Sequence, residues 1–184
     1  MIFLLSSKPW NKNLSNNLEN YLKTTVFLIS NKVDLIKKLK THKPQWIFVL
    51  HWNHIIAKEI WNKYKTVIFH MTDLPYGRGG SPLQNLIKLK HENTILSAIK
   101  CSEIIDGGDI YLKKPLNLNG SAEEIFLRCN ELMGTMIHEI VKNNPKVKSQ
   151  QGEIINFRRR KPFESDLNTC QNGNITEWYD QIRM

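Results

Sequence analysis

WIFVLHWNHIIAKEIWNKYKTVIFH, residues 46–70, reads as strand, helix, strand. WIFVL (46–50) and TVIFH (66–70) are continuous apolar runs of strand length, rich in β-branched and aromatic residues, and over 57–64 apolar positions return every three or four residues. Strands joined by a crossover helix pair in parallel, and an unbroken apolar run calls for cover on both faces of the sheet. The same unit recurs upstream. MIFLLS (1–6) and VFLIS (26–30) read as strands, with helices over 14–23 and 33–40. The implied fold class is α/β, a Rossmann-like, mostly parallel sheet flanked by helices.

Beyond residue 70 the pattern changes. HMTDLPYGRGGSPLQ (70–84) sets a histidine, a carboxylate and three glycines between the fourth strand and an amphipathic helix over 81–91. Ser81 is the expected cap of that helix, Pro82 its first turn, and Leu83, Leu86, Ile87 and Leu89 its buried face. NTILSAIKCS (93–102) and DIYLKKPL (109–116) alternate like half-exposed strands joined by the turn EIIDGGD. Ser121 and Glu124 form a capping box ahead of an apolar stripe that runs from Ile125 to Val141 at helical spacing. From Asn143 the chain turns polar, through INFRRRKPFES (155–165) into a tail rich in Asn, Gln and Thr. The expectation is one domain over 1–165, with 166–184 a C-terminal tail and not a second domain.

A chain of 184 residues can bury about two-thirds of its unfolded surface. Cys101, Cys129 and Cys170 are odd in number and far apart, which points to a reducing compartment rather than a disulfide framework. No apolar run approaches the roughly 20 residues of a membrane span, and MIFLLSSKPW lacks the basic start of a signal peptide. A cytoplasmic protein with no membrane partner is expected. The formal net charge of +9 favours an anionic partner: nucleic acid, a phosphorylated small molecule or a polyglutamylated cofactor.

In a doubly wound sheet, ligands bind beyond the carboxyl ends of the strands. Three polar loops fall there: Ser6, Ser7 and Lys8 after the first strand, His51, Trp52, Asn53 and His54 after the third, and residues 70–80 after the fourth. A histidine at a strand end is by itself more often structural than catalytic. Asp106, in Asp106-Gly107-Gly108, changes that reading of His70, because a carboxylate beside an imidazole favours the imidazolium. Asp-Gly is equally a strong hairpin dipeptide.

The order strand, His70, Leu74-Pro75, Arg78-Gly79, Pro82, Gln84, helix, strand, Asp106-Gly107 resembles the formyltransferase family that uses 10-formyltetrahydrofolate. Its members include methionyl-tRNA, glycinamide ribonucleotide and nucleotide-sugar formyltransferases. The likeness runs through about residues 1–165, and FRRRKPFESD (157–166) looks like the segment that closes the catalytic domain. The resemblance implies formyl transfer from 10-formyltetrahydrofolate to a primary amine through a tetrahedral intermediate. It gives His70 the oxyanion, gives Asp106 the holding of the imidazolium and the relay of the amine's proton, and implies a cis Leu74-Pro75 bond. The family usually carries an asparagine two residues before its histidine, where this chain has Ile68. Residues 68 and 70 share a strand face, so the oxyanion is left one donor short. Asn53 is the candidate substitute, with Thr72 or a backbone N–H as the others. By the same resemblance, Leu50, His51 and Trp52, with Ile104 and Ile105, line the pterin pocket largely through backbone contacts, and Trp52 offers apolar surface to the ring.

The methionyl-tRNA enzymes carry a second, basic domain, for which this chain is expected to be too short. The purine enzymes have a glycine-rich phosphate loop after the first strand, where SSKPWNK has no glycine. The expected acceptor is therefore a small molecule, an amino sugar linked to a nucleotide, with no nucleic-acid partner; glycinamide ribonucleotide is the alternative. Lys8 and Trp10 suit a diphosphate and a base or sugar ring, and Arg78 either forks onto an anion or braces its loop. A rival from another class is a nucleic-acid-binding module built on Arg158-Arg159-Arg160-Lys161 between Phe157 and Phe163. Gly80-Ser81-Pro82 lacks the nucleophile elbow Gly-x-Ser-x-Gly, and no carboxylate or thiol completes a metal-ligand spacing with His51, His54 and His70, so no metal is expected.

Overall fold

The four apolar runs become the parallel half of a six-stranded sheet in the computed structural model, which describes residues 1–170 and 173–184. β1 (Ile2–Ser6), β2 (Val26–Ile29), β3 (Trp46–His51) and β4 (Lys65–His70) alternate with α1 (Asn11–Leu22), α2 (Lys32–Thr41) and α3 (Lys58–Lys63). β1 pairs in parallel with β2 and β3, and β3 with β4. Because strand side chains alternate, Ile2, Leu4, Trp46, Phe48, Val67 and Phe69 pack in one layer while Phe3, Leu5, Ile47 and Val49 pack in the other. Both faces are covered, which is why these strands carry no polar alternation.

The sheet continues with β6 (Asn93–Lys100) and β7 (Ile110–Asn117), both antiparallel to their neighbours, giving the order β2-β1-β3-β4-β6-β7 once β5 (Tyr76–Gly79) is set aside. α4 (Pro82–Lys88) and α5 (Ala122–Asn143) cover the larger core layer, and the expected capping box of Ser121 and Glu124 is present at the start of α5. The chain leaves β1 for β2 and returns past it to β3, so a crevice opens at the carboxyl ends of β1 and β3. There the Ser7 N–H donates to the His51 carbonyl at 3.1 Å.

Several expectations are corrected. α4 is shorter than 81–91, and Leu89 is exposed instead of buried. Ser81 does not cap it: the residue is left-handed, with φ 50°, and its Oγ accepts the Arg160 N–H at 3.0 Å. β6 and β7 are joined not by a tight turn but by a longer connection over 101–109, in which a Cβ on Gly108 would strike the Lys100 carbonyl. The loop 70–84 contains a strand, β5, that pairs in parallel with β8 (Ile155–Phe157) to form a second, two-stranded sheet. The tail holds a helix, α6 (Ile175–Arg183), capped by Asn174 and Glu177. Its buried Asp180 accepts from Lys90 at 2.8 Å and from Arg183 at 2.8 Å, and Arg183 also donates to the Leu118 carbonyl at 2.6 Å. No helix among the described residues is long and apolar enough to cross a membrane.

Candidate active site

The loops after β1, β3 and β4 and the 101–109 connection enclose a cleft of about 700 Å³. His70, the last residue of β4, lies in it with an 8% exposed side chain. Its Nε2–H donates to the Gly77 carbonyl at 2.7 Å, which leaves Nδ1 as the nitrogen open to a reacting group. Asp106 Oδ2 stands 3.6 Å from that Nδ1, at 12% side-chain exposure, and accepts the Gly79 N–H at 2.9 Å. The 3.6 Å separation is longer than a hydrogen bond, so Nδ1 keeps room for a reacting group beside the carboxylate.

The backbone around this pair is unusual at defined points. Asp106 has φ 52°, Gly77 φ 75° and Gly79 φ 105°, and the Leu74–Pro75 bond is cis. Gly79 is required doubly, since a Cβ there would also meet the Phe157 carbonyl of β8. Thr72 is fully buried and its Oγ1 donates to the Gly77 carbonyl at 3.3 Å, so its hydroxyl is committed to the loop. Lys113 of β7 ties the same loop through the Leu74 carbonyl at 2.6 Å.

The structure brings His70, Asp106, Asn53, Leu50, His51 and Trp52 to one cleft, together with Ile104, Ile105 and Lys8. Ile104 and Ile105 are 64% and 65% exposed, an apolar surface open to a ligand. Ile68 lines the cleft two residues before His70, while Asn53 is exposed and carries no side-chain hydrogen bond among the described residues. Arg78 stands apart from the cleft wall. Its Nε and Nη2 donate to Gln150 Oε1 at 3.1 and 2.7 Å, which makes it a brace.

Trp10 also lies behind the wall, in an aromatic cluster. Its ring is 6.0 Å from that of His51 and 6.4 Å from that of Phe126, and Lys8 Nζ sits 5.4 Å from its centroid. Trp10 Nε1 and His51 Nε2 are buried without a hydrogen-bond partner among the described residues, a costly state. Burial, reinforced by Lys8, pushes His51 down to about 4, so its ring is neutral near pH 7. Burial likewise pushes the Cys101 thiol up to about 11, which removes a thiolate nucleophile from the cleft.

Arg159 is a cleft residue that the sequence reading placed only in a generic basic run. The Gly80 N–H donates to the Phe157 carbonyl at 3.1 Å, and a Cβ on Gly80 would lie 2.8 Å from Arg159 Cα, so glycine admits the basic segment against the catalytic loop. Arg158 pairs with Glu164 at 3.0 Å, whereas Arg159 is exposed and has no ion-pair partner among the described residues. The glycine pair was the available signal; its partner strand was not. Among the described residues no three His, Cys, Asp or Glu side chains gather as metal ligands.

No protein-family model matches the chain. Among curated proteins it is similar to the methionyl-tRNA formyltransferase of Clostridium acetobutylicum, with 28% identity over 130 residues that cover 66% of this chain and 42% of that protein. The chain spans about half the length of the curated relatives it matches. Among solved structures, the methionyl-tRNA formyltransferase from Clostridium thermocellum superposes with a TM-score of 0.93 and 41% identity, over 100% of this chain and 82% of that one. The formyltransferase PseJ from Anoxybacillus kamchatkensis, in complex with UDP-4,6-dideoxy-4-formamido-L-AltNAc and tetrahydrofolate, shares the fold at a TM-score of 0.74 and 18% identity, over 98% of this chain and 97% of that one. With a 41% identical relative matched over the whole of this chain and 82% of its own, this chain belongs to the formyltransferase family.

Proposed function

We propose that this chain transfers a formyl group from 10-formyltetrahydrofolate to a primary amine. The observation that carries the reading is the His70–Asp106 pair, 3.6 Å apart at the floor of the cleft. The folate supplies the activated formyl carbon, and the exposed Ile104 and Ile105, with Trp52 on the same cleft, fit a flat heteroaromatic ring. His70 presents Nδ1–H to the formyl oxygen, where negative charge grows as the amine adds. A preorganised cationic donor stabilises that charge better than water does. Asp106 balances the imidazolium and takes the proton that the amine loses, passing it to the departing folate nitrogen. Asn53, exposed on the same cleft, supplies a second donor where Ile68 has none.

The acceptor we propose is an amino sugar linked to a nucleotide. Lys8 and Arg159 place two cations on the cleft, and they suit a diphosphate. A second reading, methionyl-tRNA as acceptor, is favoured by the names of the 28% and 41% identical relatives. Purified protein with 10-formyltetrahydrofolate and, separately, UDP- and dTDP-linked 4-amino sugars, glycinamide ribonucleotide and methionyl-tRNA, followed by tetrahydrofolate release, tests both levels. Formylation of a sugar nucleotide is expected. Formylation of methionyl-tRNA alone overturns the acceptor, and no transfer to any amine overturns the reaction.

A further inference from the structure

We propose that Gln150 is the positioning residue of this site, holding Asp106 at His70 and locking the catalytic loop to the Asp106 connection. The inference rests on the reading of His70 and Asp106 given above. Gln150 lies outside the loops that carry the cleft, in the polar stretch after α5. Its segment is fastened on one side by a reciprocal pair of backbone bonds between Lys148 and Ile110, at 2.7 and 2.9 Å, and on the other by the Ile155 N–H on the Pro75 carbonyl at 3.3 Å.

The side-chain amide uses its full bonding capacity. Nε2 donates to the Asp106 carbonyl at 2.8 Å and to the Gly108 carbonyl at 2.8 Å. Oε1 accepts from Arg78 Nε at 3.1 Å and Nη2 at 2.7 Å. A primary amide has two donor hydrogens and two acceptor lone pairs, and all four are matched here. The orientation is unambiguous, because a guanidinium can only donate and a carbonyl can only accept.

The connection has a reason to need such a clamp. Asp106 is a non-glycine residue held at φ 52°, a conformation that persists only where its surroundings over-determine it. Its carboxylate is tethered by the Gly79 N–H, and its carbonyl by Gln150. Gly79 and Arg78 are neighbours on β5, so the carboxylate and the amide fix the same two segments from opposite ends. Loss of the amide frees Asp106 to rotate away from Nδ1, and a displacement of about 1 Å in a catalytic group costs on the order of 10²-fold in rate.

The test reads the ring directly, so it requires no acceptor. Protein labelled with 15N-histidine, with His70 assigned through His70→Asn, gives the Nδ1 resonance in the wild type, Gln150→Met, Asp106→Asn and the double variant. Gln150→Met and Asp106→Asn are expected to move it in the same sense, and the double variant no further than Asp106→Asn. Gln150→Glu keeps an acceptor for Arg78 and loses both donors, so it should move the resonance as Gln150→Met does, and it carries the test if the methionine variant fails to fold. An unmoved resonance in folded Gln150→Met or Gln150→Glu, or additive shifts in the double variant, overturns the proposal. Turnover of 10-formyltetrahydrofolate with UDP-linked 4-amino sugars is the second readout. Gln150→Met should lower kcat by about 10- to 100-fold with the acceptor KM little changed. Normal turnover by Asp106→Asn would instead refute the functional reading, whatever the ring resonance does.

Discussion

The strands β1 and β3 and the strands β5 and β8 are both parallel pairs, yet they are held by different physics. β1 and β3 are almost wholly buried, and their own side chains, Leu4 and Phe48 among them, supply the free energy that orders them. β5 reads Tyr-Gly-Arg-Gly, and it is a strand because β8 offers it a ladder and because Gly79 can take φ 105° beneath the Phe157 carbonyl. The first pair carries stability in side-chain burial. The second carries the site in backbone geometry. Changes in the first should alter how much protein is folded, and changes in the second how the folded protein behaves.

Phe48→Ala is expected to have the largest effect on stability, about 3–5 kcal/mol in urea unfolding, because it empties a fully buried ring position between Trp46 and Phe69. Turnover per folded molecule should be unchanged; a loss there would break the separation. His51, the last residue of β3, should give the next effect. Its ring titrates at about 4 in the fold against 6.5 when unfolded, so below 6.5 the unfolded chain binds a proton that the folded one refuses. Stability from this group is full above 6.5 and is lost as pH falls from 6.5 toward 4, by up to about 3 kcal/mol. The difference between wild type and His51→Gln, measured by denaturant midpoints across that window, should display this slope; parallel curves would contradict it. Gly79→Ala should be smaller in stability, about 1–3 kcal/mol, yet larger in function. Its Cβ pushes β5 off β8 and withdraws the N–H from Asp106, so a calorimetric shift accompanied by lost turnover sharpens the comparison.

This division also explains what the chain disclosed before its fold was known. The parallel strands and the Ser121 cap were legible because each is a local pattern, a run of apolar residues or a hydroxyl three positions before a glutamate. The pairing of His70 with Asp106 was an expectation drawn from the family resemblance, and the structure sets the two side chains 3.6 Å apart. Three things were not legible. Ser81 looks like a cap, but its hydroxyl is taken by the Arg160 N–H from a segment far along the chain. Arg78 was open to two readings, an anion fork or a brace, and Gln150, far along the chain, makes it the brace. α6 has apolar residues at helical spacing, but Ile175, Tyr179 and Ile182 are exposed, and its docking rests on the buried Asp180, which pairs with the neighbouring Arg183 and with the distant Lys90. In each case the deciding partner is remote in sequence, and no periodicity records it.

The central claim is that the His70 ring, with Asp106 beside its Nδ1, stabilises charge on a formyl oxygen. Steady-state release of tetrahydrofolate by His70→Ala, on protein whose circular dichroism and Tm match the wild type, tests it most directly. Removal of such a donor should lower kcat by about 10²–10³-fold. A folded His70→Ala variant that turns over 10-formyltetrahydrofolate at the wild-type rate would contradict the account.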